Sequence, residues 1–400
     1  MELQEQRVSS IFIIPLMQFF IGLLLFIALL HGQRDLTILG LLLIGLAIGA
    51  RLWSRLSLSG IKSYSTVDKQ RVFPGETLIL DVRAENAKFL PVWLQIKVPL
   101  GEQLRPFSGE TMSTGESGLL WYQRAWYRWE LLAQRRGVHR IGPPHIKVAD
   151  IFGFFPKRRE ERESLHVIVY PRLVPLKPFS LPKRDLFGVP GAKSPVQDPI
   201  YILGTRNYQH WRPARYIHWK ASARHNRLQE KVFEPSEQEK VLLAVEVEQF
   251  SKNNAAESFE QTLEAVASLA VRLDQKGFAV GLVTNGLVDG RGPTILPIAR
   301  NPQQLPTILE VLARLHMAPK GDLVNTLHRA LALPWGVSCV HFSHEHDTTT
   351  LAAGGYFSHR GVSMVFVVCL PRSVSSEDDR RVPGRVYNLD DIRVGEAEEK

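Results

Sequence analysis

The sequence predicts a multidomain α+β protein: a two-helix membrane hairpin, a small β-sandwich, and an α/β domain with a mostly parallel sheet. Three observations predict it. An uncharged apolar run of 20 residues, Ile11–Leu30, is followed at once by a second, Leu36–Ala50. From Tyr64 the pattern changes to short alternating runs broken by Pro and Gly, the signature of strands and turns. Beyond Val241, apolar runs of strand length alternate with stretches that are apolar at helical spacing.

The length of 400 residues makes room for two globular units plus accessories. The formal charge of +9 is mild for that length and permits acidic proteins, anionic lipid or nucleic acid as partners without choosing among them. The two cysteines, Cys339 and Cys369, each lie in an apolar run and read as core thiols, which fits a reducing compartment.

Residues 1–60 are expected to form a two-span transmembrane anchor. The first run has the ~20 residues a helix needs to cross hydrocarbon. The second extends to about Trp53, with Arg51 snorkelling and Trp53 at the interface. Gly45 and Gly49 form a small-xxx-small pair that would bring two helices close. A non-basic N-terminal region, no small-residue cleavage site and an immediate second span argue against a cleaved signal peptide. Arg51, Arg55 and Lys62 follow the second span, whereas the hairpin loop holds only Arg34, so both termini are expected in the cytoplasm.

Residues 61–172 are expected to form the sandwich, with strands at Thr77–Val82, Val92–Val98, Leu119–Tyr122, Trp126–Leu132 and Val167–Tyr170. Trp121, Trp126 and Trp129 read as core and interface aromatics, and Lys157–Glu163 as an exposed turn. Residues 235–370 carry the α/β pattern. Strands are expected at Val241–Val247, Phe278–Val283, Val337–Phe342 and Val362–Leu370. Between them, the helix Glu257–Lys276 is apolar at Phe259, Leu263, Val266, Leu269, Ala270 and Leu273, and Gly277 stops it. A second helix begins at Asn301-Pro302, Asp322 caps a third, and Thr348–His359 is a fourth. Residues 371–400 read as a polar, peripheral tail, with a short strand at Val386–Leu389.

Residues 173–234 are expected to be a linker carrying a basic–aromatic motif, Asn207–Lys231. It holds Arg212, Arg215, Lys220, Arg224, Arg227 and Lys231 against Glu230 alone, interleaved with Tyr208, Trp211, Tyr216 and Trp219. Rings carry guanidinium groups by stacking, and Arg forks suit carboxylate or phosphate. Two readings stand: a site gripping an anion or an acidic partner, or an internal clamp whose Arg residues pair with carboxylates of the fold. The binding residues singled out are Arg215, His218, Trp219, Lys220 and Arg224.

These motifs together resemble the bacterial membrane proteins that carry domain of unknown function 58 (DUF58). The resemblance runs through Arg71–Asn86, Arg136–Pro143, Asp150–Phe155 and Tyr170–Arg172. It is most specific at Tyr208–Arg224, with Ile217–Lys220 and Ser222–Arg224. Trp211 and Arg212 depart from it, standing where the family usually has Gly-Asp, while Arg215 matches the first Arg of the motif. The resemblance implies a von Willebrand factor A-like α/β domain. It also implies a multi-pass inner-membrane protein that works beside a MoxR-type AAA+ ATPase, with no enzyme activity and no cofactor. The expected function is a docking or scaffold partner of that ATPase, with the lipid bilayer as its setting.

The alternatives use the same residues. The basic–aromatic stretch would bind anionic lipid or nucleic acid, and the membrane anchor makes lipid the better of the two. Metal chemistry would make the chain a metal-dependent enzyme or a metallochaperone. A von Willebrand A site holds Mg²⁺ with Asp-x-Ser-x-Ser after its first strand; here that place reads Glu246-Val247-Glu248-Gln249-Phe250, and Phe250 cannot ligate. His341, His344, His346 and Asp347 follow a predicted strand, yet their spacing is no standard zinc signature. Glu246, His341, His344 and His346 are therefore candidates against a plain polar-loop reading, and no metal is assigned. The P-loop, nucleophile elbow, zincin helix and dinucleotide fingerprint are missing.

Overall fold

The computed structural model describes residues 10–57, 59–101, 103–106, 112–149, 156–177, 197–209, 211, 213–235, 239–290, 292, 294–330, 337–370 and 385–394. The motif residues Arg212 and Asp150–Phe155 lie outside them, as do the side chains of Arg51 and Arg55. The chain divides into two compact units, Met1–Pro171 and Arg172–Lys400.

The first unit opens with α1 (Ser10–Leu30) and α2 (Arg34–Ser57), packed side by side. Their close approach does not use Gly45 and Gly49. A Cβ at either would meet nothing within 4 Å, whereas a Cβ on Gly40 would lie 2.9 Å from Leu25 Cδ1, so Gly40 sits at the helix contact. Among the described residues no helix is long and apolar enough to cross a membrane; the side chains of residues 10–18 lie outside that set.

Eleven strands then run through the described part of the unit: β1 (Ile61–Val67), β2 (Arg71–Val72), β3 (Thr77–Asn86), β4 (Val92–Pro99), β5 (Leu104–Pro106), β6 (Met112–Leu119), β7 (Arg124–Ala133), β8 (Gly137–Ile141), β9 (His145–Ala149), β10 (Lys157–Glu160) and β11 (Leu165–Val169). They form sheets in the orders β1-β3-β7-β5, β10-β9-β4-β6 and β2-β11-β8. Alternation decides which side faces inward: Leu78, Leu80, Val82 and Ala84 of β3 point to one core, where they meet Leu94, Ile96 and Val98 of β4 and Val167 and Val169 of β11. Two expectations need correction. Trp121 and Trp126 are exposed, and only Trp129 packs against the core, stacked on Tyr127. Lys157–Glu160 is an edge strand on β9, where alternate charged side chains keep to the solvent side.

The first named strands of the second unit are an antiparallel pair, β12 (Gln197–Asn207) and β13 (Gln229–Pro235). The stretch expected as linker is thus a hairpin, and α3 (Trp219–His225) lies between its strands. The remainder alternates strands and helices: β14 (Lys240–Val245), α4 (Glu248–Lys252), α5 (Ala256–Gln275), β15 (Ala279–Thr284), β16 (Gly286–Val288), β17 (Ile295–Ala299), α6 (Gln304–Arg314), β18 (Leu315–Pro319), α7 (Leu323–Ala330), β19 (Val337–Ser343), α8 (Thr348–His359), β20 (Ser363–Val368), β21 (Arg385–Asn388) and α9 (Leu389–Ile392).

Six strands make one sheet in the order β17-β15-β14-β19-β20-β21, parallel except for β17 at one edge. Numbered by their place in this sheet, the strands run 3-2-1-4-5-6, the order of doubly wound folds. Leu242 and Ala244 of β14 meet Leu327 of α7 and Phe357 of α8. α5 buries the stripe Phe259, Leu263, Val266, Leu269, Ala270 and Leu273 and packs on β15 and α6. It ends as its sequence dictates: Gly277 takes φ +82°, and the N–H groups of Gly277 and Phe278 donate to the carbonyls of Asp274 and Leu273.

α6 starts later than Pro302. Asn301 folds its side chain onto the Gln303 N–H at 3.0 Å and makes a turn first. The end of the chain is less peripheral than its polarity suggests. Leu389 and Ile392 are buried, β21 closes the sheet, and Arg393 pairs with Glu264 of α5 at 2.7 Å.

Candidate functional site

The basic–aromatic stretch is held at its base and open at its tip. In the β12–β13 ladder Arg206 lies opposite Glu230 and Asn207 opposite Gln229. Glu230 is fully buried, and Arg206 Nε donates to its carboxylate. Gln229 is buried and its Nε2 donates to Asn207 Oδ1 at 2.8 Å. Ser222 Oγ accepts the Gln229 N–H at 2.9 Å and donates to the His218 carbonyl at 3.0 Å. This fastens α3 to β13. His218 acts as the cap of that helix: its Nδ1 accepts the Ala221 N–H at 3.1 Å, which fixes the tautomer with the proton on Nε2. Asn226 ends the helix at φ +53°.

Beyond this base the side chains face outward. Trp211 and Trp219 are 79% and 68% exposed, which excludes a core role for both. Lys220, Arg224 and Arg227 are exposed, and among the described residues no carboxylate pairs with them. Arg215 lies over the Tyr216 ring, 5.2 Å from its centroid, and among the described residues no carboxylate pairs with it either. The fold thus separates two jobs that the sequence runs together. Arg206 and Glu230 make the internal clamp, while Arg215, Trp219, Lys220 and Arg224 form a cationic, aromatic surface able to meet carboxylates or phosphates. His218 belongs to the scaffold of that surface.

The second cluster lies at the carboxyl ends of β14 and β19, where the strand order reverses and doubly wound folds place their ligands. Glu246 is buried. Its Oε1 accepts the Thr349 hydroxyl at 2.8 Å, and its Oε2, without a hydrogen-bond partner, lies 3.5 Å from His341 Nε2. That distance has the look of an ion pair, yet both groups are pushed toward their neutral forms. Burial, followed by the charges of Asp347, Glu248 and Asp322, raises the Glu246 carboxyl to about 7 despite the Thr349 bond. Burial, helped by His346, lowers His341 to about 4 against the pull of Asp347. Near neutral pH the contact is between an uncharged imidazole and a carboxyl only partly ionised.

Around this pair the loops are cross-linked by Gln249, Asn285 and Asp347. Gln249 Nε2 donates to Asp347 Oδ1 at 2.6 Å, to Thr349 Oγ1 at 3.0 Å and to Thr350 Oγ1 at 3.2 Å. Its Oε1 accepts the Glu345 N–H at 2.8 Å. Asn285 Oδ1 accepts the Val247 N–H at 2.7 Å, and its Nδ2 donates to the Gly321 carbonyl at 3.0 Å. Asp347 caps α8 through the N–H groups of Thr349 and Thr350. Burial works against its charge, but the bonds from Thr349 and Thr350 outweigh that and hold its carboxyl below the usual range. The histidines do not converge on one point. His341 and His346 pack on Phe366, each with ring centroids 5.7 Å apart, whereas His344 packs on Phe250 at 5.3 Å. Among the described residues no group of three His, Cys, Asp or Glu is arranged to hold a metal ion. Gln249, Thr349 and Asn285 carry no sequence signal, because their partners lie tens of residues away.

The second unit thus joins an exposed cationic–aromatic stretch to a six-stranded α/β sheet of order 3-2-1-4-5-6. Residues 204–333, which run from the last part of β12 through β13 and the first three strands of the large sheet, match the family described as "Protein of unknown function DUF58". The chain is also 24% identical over 254 residues to "Uncharacterized protein YeaD" of Bacillus subtilis (strain 168), covering 62% of this chain and 61% of that protein. It thus spans somewhat less than two thirds of its relative's length. Among solved structures, the cupredoxin domain of amoB from Nitrosocaldus yellowstonii overlaps at a TM-score of 0.20 and 11% identity, over 28% of this chain and 89% of that one. A type II cohesin domain from the cellulosome of Acetivibrio cellulolyticus overlaps at a TM-score of 0.21 and 9% identity, over 27% of this chain and 94% of that one. At those scores neither overlap bears on fold or function.

Proposed function

We propose that this chain is a membrane-held, non-enzymatic docking protein whose α3 surface binds an acidic face of a partner protein. The observation that carries the reading is the exposure of Lys220, Arg224 and Arg227 without carboxylate partners among the described residues, beside exposed Trp211 and Trp219. Cations left unpaired beside aromatic rings suit recognition, since rings and Arg rank high among the residues that anchor interfaces. The partner in this proposal is the MoxR-type AAA+ ATPase implied by the DUF58 resemblance. The von Willebrand A-like reading of the α/β domain is part of the same proposal, and the strand order with its antiparallel edge strand supports it.

The membrane part of the reading rests on the hairpin. Phe20, Leu24, Ile27, Ile38, Leu42 and Leu46 are exposed apolar residues on α1 and α2. A patch of that kind marks a surface with an apolar partner. Lipid around α1 and α2 would provide it, with both termini on the cytoplasmic side.

Charge reversal tests the docking. The tagged protein and its Arg224→Glu variant are recovered from mildly solubilised native membranes, and their co-purifying proteins are identified. Recovery of an AAA+ ATPase with the parent and its loss with a folded Arg224→Glu is the expected result. Equal recovery with both would move the contact away from α3.

A further inference from the structure

We infer that the turns 87–91 and 120–123 of the β-sandwich form a lipid-contact surface that seats this domain on the bilayer beside the end of α2. The inference rests on reading α1 and α2 as membrane-inserted, and it adds a second, separate membrane contact.

The surface is apolar where a β-sandwich turn would ordinarily be polar. Phe89 and Trp121 stack with ring centroids 5.6 Å apart and planes 17° apart, yet both remain exposed to the outside. Leu120 and Tyr122 flank them and are exposed as well. Tyr122 adopts φ +57°, a region that a bulky residue seldom enters and that Gly or Asn would fill at less strain.

The two turns are locked together. Asn86 is fully buried, and its Nδ2 donates to the carbonyls of Leu90 and Leu120, each at 2.9 Å. The Tyr122 N–H donates to the Lys88 carbonyl at 3.2 Å, and the Asn86 N–H to the Gln123 carbonyl at 3.0 Å. The aromatic platform is therefore set before any partner arrives, which spares the ordering cost of binding.

Its position selects the occupant. Trp53 Nε1 donates to the Pro91 carbonyl at 2.9 Å, and Lys88 Nζ donates to the Leu56 carbonyl at 2.5 Å. The Ala87 N–H reaches the Gly60 carbonyl at 2.9 Å. The turns are thus pinned to the last turns of α2, where Leu52 and Leu56 are exposed. Exposed apolar side chains therefore stand on both sides of this junction, Leu52 and Leu56 on α2 and Phe89, Trp121 and Tyr122 on the turns. Trp and Tyr are the residues that settle at the headgroup level, with an apolar body and a polar edge.

Depth-dependent quenching tests this on the full chain. Cys369 is replaced by Ser, the buried Cys339 is kept, and a bimane label is placed in turn at Tyr122→Cys, Phe89→Cys, Leu42→Cys and Gln134→Cys. Each protein is reconstituted into vesicles of phosphatidylcholine and phosphatidylglycerol carrying nitroxides near the headgroup or deep in the acyl chain. Gln134 follows the 10-residue strand β7 at the far end of the sheet, roughly 30 Å from the turns, and reports the unseated face. The expected pattern is loss of both tip signals to the shallow nitroxide, loss of the Leu42→Cys signal to the deep one, and an unchanged Gln134→Cys. Quenching at Leu42→Cys with neither tip label affected would overturn the inference while leaving the hairpin in the membrane, and would turn the patch over to a protein partner. Equal quenching at Gln134→Cys and the tips would overturn it as unspecific adsorption. No quenching at any site would overturn the membrane reading and this inference with it.

Discussion

Glu246 and His341 show how a single buried contact can bias the pH response of a domain. Glu246 holds its proton up to about 7 in the fold, against an ordinary value of 4.5. The folded state binds that proton more tightly than the unfolded chain, so the stabilisation is complete below about 4.5 and is lost as pH rises through about 7. His341 works in the other sense. Its value falls to about 4 from 6.5, so its contribution is complete above 6.5 and is lost as pH drops through about 4. Between about 4.5 and 6.5 the two oppose each other. Glu246→Gln removes the first and keeps an acceptor for Thr349. Its thermal stability should climb more steeply than the parent's from pH 4.5 to 6.5, and at pH 8 it should exceed the parent by up to about 3 kcal/mol. Melting curves at pH 5 and pH 8 check this, and a variant that tracks the parent at both would mean the carboxyl is not held neutral. At this scale the sequence placed Glu246 and His341 each at the end of an expected strand but could not say that the two strands are neighbours or that the side chains meet. Register between strands nearly a hundred residues apart is set by the fold.

At the scale of elements, α3 depends on its fastening. Seven residues are too few to hold a helix by themselves, so its stability is borrowed from β13 through Ser222 and from the His218 cap. Ser222→Ala leaves the buried Gln229 N–H without its acceptor and should cost about 1–3 kcal/mol locally. Hydrogen exchange is expected to quicken at Gln229 and across α3, while β14, β15 and β19 keep their protection. Uniform quickening throughout the unit would show instead that α3 is part of its global core. The elements that periodicity revealed were those with one clear buried face, such as α5 with its apolar stripe and β3 with its alternation. β12 and β13 were hidden by Pro199, Gly204 and a dense run of charge, which mask the alternation of a paired strand. The turn at 120–123 was hidden for the opposite reason. Its aromatic residues imitate a strand that runs on into the core.

For the whole molecule, the sequence carries the inventory more clearly than the arrangement. Alternating strands and helices implied a mostly parallel sheet, but nothing in them announced the reversal at β14 and β19 or the closure by β21. The basic–aromatic stretch stood out by composition alone. Whether its cations were clamped or free was not legible, because that depends on which carboxylates the fold brings near; Glu230 pairs with Arg206, and among the described residues no carboxylate pairs with Lys220 or Arg224 of α3. The division that results, a fixed base and an open tip, is the central claim of the docking proposal.

Site-specific photocrosslinking in native membranes tests that claim most directly. A benzophenone amino acid replaces Trp219, a position exposed enough to accept it without disturbing the Ser222 and His218 contacts. Irradiation should capture an AAA+ ATPase, with the adduct lost when Arg224→Glu is added and weakened at high salt, as expected for contacts between exposed charges. Adducts to lipid alone, or an ATPase adduct indifferent to Arg224→Glu, would contradict the account.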